Sequence, residues 1–180
     1  MVKKVIRMYQ TGQYVRYRGN GVFRVQNIVS KRLRDGKEKQ YYVLEGVFGM
    51  EMRITTPMDH PGLRELISKA EAEDVMIQVS QLEVEWPQDR RMRGEVFKTM
   101  LASNDWKKSL QVLKTIYCQK VIKERNHKQL TAEETEILDH TRRILTEELA
   151  LTLALPLSSA KERMTQIEQL SVDTCVDMAQ

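Results

Sequence analysis

The sequence predicts an α+β protein in two parts, a small antiparallel β module followed by an all-α domain. Two patterns and one charge distribution carry that prediction. From Tyr9 to Pro57 short alternating segments are separated by glycine turns, and from Pro61 onward apolar residues recur at helical spacings. Residues 1–58 hold twelve Lys or Arg against four Asp or Glu, a surplus of +8. Residues 59–85 carry −5, 86–128 carry +7 and 129–180 carry −6, so a net charge of +4 is two basic blocks alternating with two acidic ones. That arrangement suits a protein that touches both an acidic partner and nucleic acid. The division is expected between Ile67 and Glu85, with residues 1–70 as the β domain and 71–180 as the helical domain.

The strands follow from alternation. Gln13–Arg18 alternates around Tyr14, Val15 and Tyr17, the Gly19-Asn20-Gly21 turn tolerates positive φ, and Val22–Val29 runs out as a longer strand. Asp35-Gly36 centres the next turn. Beyond it Gln40–Val47 and Met50–Thr56 are β-branched and aromatic segments broken at Gly49. Four or five short antiparallel strands with tight turns predict a small closed or half-open barrel.

The helices follow from spacing and caps. A short helix is expected over Leu63–Lys69, then an acidic connector Ala70–Asp74, with Val75–Val79 a last strand or a link. Pro87 is expected at an early helix position, where its missing N–H costs nothing, opening a helix over Gln88–Leu101 that carries Arg90, Arg91, Arg93 and Lys98. Ser103-Asn104-Asp105 ends it and caps a second helix, about Asp105 to Glu124, with Trp106, Leu110, Leu113, Tyr117 and Val121 on one stripe and Lys107, Lys114 and Arg125 on a basic edge beside it. Thr131 and Glu134 form a capping box for a third helix through Leu153, with Ile137, Leu138, Ile144, Leu145, Leu149 and Leu151 inward. Pro156 stops it, and Ser158 or Ser159 caps a last helix to about Met178, in which Met164, Ile167, Leu170 and Val176 pack inward.

The segments Gly12-Gln13-Tyr14-Val15-Arg16-Tyr17, Gly19-Asn20-Gly21-Val22, Gln40-Tyr41-Tyr42-Val43-Leu44, and Met52-Arg53-Ile54 with Pro57 and Gly62-Leu63-Arg64 resemble the CarD family of bacterial transcription regulators. In the helical half, Trp86 with Arg90 and Arg91 is similar to that family's Trp-x-Arg-Arg motif. Leu130-Thr131-Ala132-Glu133-Glu134, followed by Arg142-Arg143-Ile144-Leu145, is similar to its last well-marked helix. The likeness spans about residues 9–153. It implies a Tudor-like barrel that binds the β subunit of RNA polymerase, a domain also found in the transcription-repair coupling factor. It further implies a tryptophan that wedges into the minor groove at the upstream edge of the melted promoter. Two departures stand out: the gap between Trp86 and Arg90 is longer than in the family, and Thr135 and Glu136 stand where the family often carries basic residues.

On that resemblance Arg53, Lys31, Met52 and Ile54 are the expected polymerase contacts, and Trp86, Arg90, Arg91, Arg93 and Lys98 the expected DNA contacts. The expected partners are therefore the polymerase β subunit and promoter DNA, with the protein a monomer that stabilises the open complex. A second reading makes the chain a free-standing nucleic-acid binder, with Arg53 and Lys31 on phosphates. Catalysis has little support: His60, His127 and His140 pair with no Cys or carboxylate at recognisable spacing, and no phosphate loop, paired-cysteine metal motif or nucleophile elbow occurs. No catalytic residue, metal or cofactor is expected. Cys118 and Cys175 read as reduced thiols of a cytosolic protein. With no apolar run of signal-peptide or membrane-spanning length, the expected location is cytoplasmic and not membrane-bound.

Overall fold

The computed structural model describes residues 8–176, with side chains through Asp173. The chain divides into two compact units that meet between Leu66 and Ile67. Strands occupy the first and helices the second, which makes the protein α+β.

The sheet unit contains β1 (Tyr14–Tyr17), β2 (Val22–Arg32), β3 (Glu38–Gly46), β4 (Arg53–Pro57) and β5 (Leu63–Arg64). All pairings are antiparallel, in the order β4-β3-β2-β1-β5. Among the described residues the sheet is not closed, so β4 and β5 are its edges. The Asp35-Gly36 turn forms as its residues demand: Gly36 has φ +81°, the Lys37 N–H donates to Asp35 Oδ1 at 3.1 Å, and the Leu33 N–H donates to the Lys37 carbonyl at 2.8 Å. With that turn fixed, β2 extends three residues beyond the expected Val29. A register shift between Val25 and Asn27 inserts Gln26 as a bulge. One face of the sheet buries Val15, Phe23, Val25, Tyr42 and Leu44, with Tyr9 packed on them and its backbone N–H bonded to the Tyr42 hydroxyl at 2.7 Å.

The helical unit contains α1 (Lys69–Glu73), α2 (Val75–Gln81), α3 (Arg90–Ala102), α4 (Trp106–Arg125), α5 (Ala132–Thr152) and α6 (Leu157–Val176). Several expectations are corrected. Leu63 and Arg64 are not helical, because they pair with Tyr17 and Arg16 of β1. The helix starts later, where Ser68 and Glu71 form a capping box across the stretch expected to be a connector. Val75–Gln81 is a helix rather than a strand or a link: Val75 and Val79 are buried while Ile77, which a strand would put on the same face, is 58% exposed. Pro87 lies outside α3, whose N-cap is Asp89 accepting from Arg91 N–H at 2.8 Å. Neither Ser158 nor Ser159 caps α6; it begins directly after Pro156, whose carbonyl accepts from Ala160 N–H at 3.1 Å. The expected end near Met178 and the packing of Val176 lie outside the described residues.

Of the three residues expected to cap α4, Asp105 is the N-cap, accepting from Lys108 N–H, and the α5 box of Thr131 with Glu134 forms as expected. Phe97, Leu101, Trp106, Leu110, Leu113, Ile116, Ile137, Leu138, Ile144, Leu145, Leu149, Met164 and Ile167 form the core. Lys114, expected on a basic edge, is 2% exposed. It faces inward because its ammonium donates to the carbonyls of Val79 at 2.9 Å and Leu82 at 2.7 Å, closing the C-terminal end of α2. Cys118, expected as a reduced thiol, is buried and disulfide-bonded. The side chain of Cys175 lies outside the described residues. Among the described residues no helix is long and apolar enough to cross a membrane.

Candidate docking edge and nucleic-acid surface

In the sheet unit the candidate residues gather on β4 and the face above it. Arg53, Glu45, Arg24 and Tyr14 stand directly opposite one another across four strands, on the face turned away from the core. All four are exposed. The bulge at Gln26 turns its side chain outward, where its amide oxygen accepts from the Arg53 guanidinium. Lys31 lies on the same face further along β2, its ammonium 5.2 Å from the Tyr41 ring centroid. Ile54 points the other way and packs against the sheet core, while Met52 is 44% exposed ahead of the strand. Of the four expected polymerase contacts, Arg53, Lys31 and Met52 are therefore accessible, and Ile54 serves mainly to seat β4.

The backbone of β4 adds what its side chains cannot. In an antiparallel pair, alternate residues bond to the neighbouring strand. The Met52 carbonyl accepts from Gly46 N–H at 2.8 Å and the Met58 N–H donates to Gln40 at 3.2 Å, so the even-numbered positions face β3. The polar backbone groups of Arg53 and Thr55 consequently face the open edge. An edge of that kind can take an added strand.

In the helical unit the candidate residues gather at the N-terminal end of α3. Trp86, on the coil before the helix, is half-buried and packs on the helical core. Phe97, two turns into α3, sets its ring 5.9 Å away at 50°. The Arg93 guanidinium carbon lies 4.2 Å, and the Lys123 ammonium 5.3 Å, from the Trp86 ring centroid. Both cations grip one carboxylate: Arg93 Nη1 donates to Glu134 Oε1 at 2.7 Å and Lys123 Nζ to Oε2 at 2.8 Å. Arg93 also donates through Nε to the Pro87 carbonyl at 2.8 Å. Burial alone would raise the Glu134 carboxyl, but hydrogen bonds from Lys123, the Thr131 backbone and Arg93 outweigh it and hold the group down at about 2.

The four cations expected to touch DNA thus divide. Arg90 and Arg91 are exposed, and among the described residues their guanidiniums have no partner. Arg93 is 9% exposed and committed to Glu134. Lys98 is exposed but donates to Glu133 Oε1 at 2.7 Å, a bond that, with the charge of Glu133, raises its pKa above the ordinary lysine value. Glu133 reaches it across Gly94, where an added Cβ would stand 2.4 Å from Glu133 Oε1. Lys123, Glu134 and Gly94 were missed from the sequence. Glu134 was recognised as a helix cap, but its second role depends on where α3 and α4 end in space.

Among the described residues no group of three or more His, Cys, Asp or Glu is placed to hold a metal ion. Compared with known proteins, the chain matches no protein-family model, and no curated protein matches it.

Proposed function

We propose that this protein is a transcription regulator of the kind its motifs resemble. In this reading the sheet unit is Tudor-like and docks on the β subunit of RNA polymerase through β4. The helical unit holds promoter DNA at the upstream edge of the bubble through Trp86, Arg90 and Arg91. A ring stacked on a distorted base step favours DNA that is already open, so the effect is a longer-lived open complex rather than tighter binding of closed duplex. The protein acts by binding, without catalysis, and in the cytoplasm. Glutathione there reduces most accessible disulfides; the one at Cys118 is 2% exposed.

The observation that carries the reading is the open edge of β4, with its outward backbone groups at Arg53 and Thr55 and a cation at its start. Strand addition supplies affinity through the backbone, and Arg53 supplies a charge-assisted contact to an acidic partner. One feature favours the second reading, direct phosphate binding without polymerase: the same face presents Arg24 and Arg53 against Glu45 alone in their cross-strand row, with Lys31 opposite Lys39 further along β2.

Affinity purification of the full chain from nuclease-treated bacterial lysate separates the two. Polymerase retained after nuclease, and lost with Arg53→Glu at a cost of about 1–3 kcal/mol in binding, supports docking. Loss of polymerase on nuclease treatment alone, with Arg53→Glu weakening duplex binding instead, establishes the second reading.

A further inference from the structure

The Trp86 ring sits on a coil segment three residues before the N-cap of α3, where nothing in the local backbone fixes its orientation. Its surroundings do. Arg93 lies against the ring at 4.2 Å and, through Nε, holds the carbonyl of the next residue, Pro87. Lys123, from the last turn of α4, lies 5.3 Å from the same centroid. Neither cation is free to swing, because Glu134, in the first turn of α5, accepts from both at 2.7 and 2.8 Å. Glu134 is itself fixed by Thr131, whose N–H donates to Oε2 at 2.9 Å. Three helix ends therefore converge on one carboxylate, and that carboxylate sets the two cations that frame the ring.

We propose that Glu134 is a positioning residue for Trp86, holding the ring in its half-exposed orientation through Arg93 and Lys123. This rests on the reading of Trp86 as the group that meets opened DNA. A ring held in place before binding loses little freedom when it stacks, so its full contact contributes to the lifetime of the complex. A ring released from that frame must be ordered at the moment of contact. The capping of α5 is separable from this role. Glutamine at the same position still completes a capping box, but it offers one acceptor oxygen where the frame needs two and turns an amide NH₂ toward a cation.

The test uses full-length protein labelled with fluorotryptophan. The chain has two tryptophans, and Trp106, whose Nε1 donates to Gln78 at 3.1 Å, serves as an internal reference. Glu134→Gln is expected to shift or broaden the ¹⁹F resonance of Trp86 and leave that of Trp106 in place. It is also expected to shorten the promoter open complex severalfold in a competitor challenge, with the Glu134→Gln, Trp86→Ala double variant no shorter-lived than Trp86→Ala alone. Should Glu134→Gln fail to fold, Arg93→Lys carries the same two readouts, since it keeps the charge but loses the planar stack and the bond to Pro87. A Trp86 resonance unchanged from the parent, or additive losses in the double variant, overturns the proposal. An unshortened open complex in Trp86→Ala overturns the reading of the ring as a DNA contact, while the resonance still decides whether Glu134 positions it.

Discussion

In the sheet unit the cations Arg24, Lys31 and Arg53 stand on one exposed face, whereas in the helical unit Arg93, Lys114 and Lys123 turn their charge inward onto a carboxylate or a helix end. The two basic blocks of the sequence are nearly equal in size, but they do different work. Alternation along the strands places Arg24, Lys31 and Arg53 on the exposed face, with Arg16 of β1, fully buried, the exception. Helices meeting end to end create interior positions where a cation satisfies free carbonyls or a cap carboxylate, and the count then overstates the surface. Arg24, Lys31 and Arg53 are available to a partner. Helical cations are available only where no acidic side chain or carbonyl has met them first.

The largest effect that separates the units is expected at Glu134. Glu134→Ala removes the partner of a buried arginine and a half-buried lysine, which should cost about 3–5 kcal/mol in urea unfolding. Asp59→Ala, breaking the sheet unit's exposed pair with Lys39 at 3.2 Å, should cost less than about 1 kcal/mol. Equal costs would remove the distinction. The acid limb gives the same contrast by another route. The Glu134 carboxyl lies at about 2 in the folded protein against an ordinary 4.5. Its contribution is therefore present above pH 4.5 and lost as pH falls toward 2. That contribution is on the order of 3 kcal/mol, and the acid limb of the unfolding profile should flatten in Glu134→Gln.

A smaller effect is expected at Lys114. Its ammonium closes the end of α2, and burial lowers its pKa from the ordinary lysine value. Lys114→Met keeps the apolar stem and loses the two hydrogen bonds, so thermal unfolding should show a loss of about 1–3 kcal/mol. A stabilised variant would mean that desolvation of the ammonium outweighs its bonds.

Much of the fold was legible in the sequence, for identifiable reasons. The Asp35-Gly36 turn, the Asp105 cap and the Thr131–Glu134 box are local, and each formed where its own side chains specify it. Misreadings arose where a distant partner decided. Leu63 and Arg64 carry a pattern compatible with a helix, but β1 offered a pairing edge. Val75–Val79 is β-branched at both ends, yet burying both valines while leaving Ile77 exposed between them requires helical spacing. The candidate residues divide in the same way. That Arg53 lies on a strand with a cation outward follows from alternation alone. That Arg93 and Lys98 are held by Glu134 and Glu133 depends on separations of 41 and 35 residues, which no periodicity reports.

The smallest effect tests the comparison within the helical unit itself. Each cation that neutralises a phosphate releases a counterion, so its removal flattens the dependence of duplex binding on salt by about one unit. Arg90 and Arg91 are exposed without an acidic partner among the described residues, and neutralising either, as in Arg90→Gln, should produce that change. Lys98 is equally exposed but already neutralised by Glu133. Lys98→Gln alone bares a carboxylate, which lowers affinity by repulsion and confuses the comparison. In the double variant, Lys98→Gln with Glu133→Gln, net charge is conserved and the carboxylate is gone with its partner. If Lys98 is committed to Glu133, the salt slope of the double variant matches the parent, while that of Arg90→Gln falls. A double variant as flat as Arg90→Gln would mean that Lys98 leaves Glu133 for phosphate when DNA arrives. Its ion pair would then be a resting position rather than a commitment, and the helical unit would have more surface cations than its folded geometry displays.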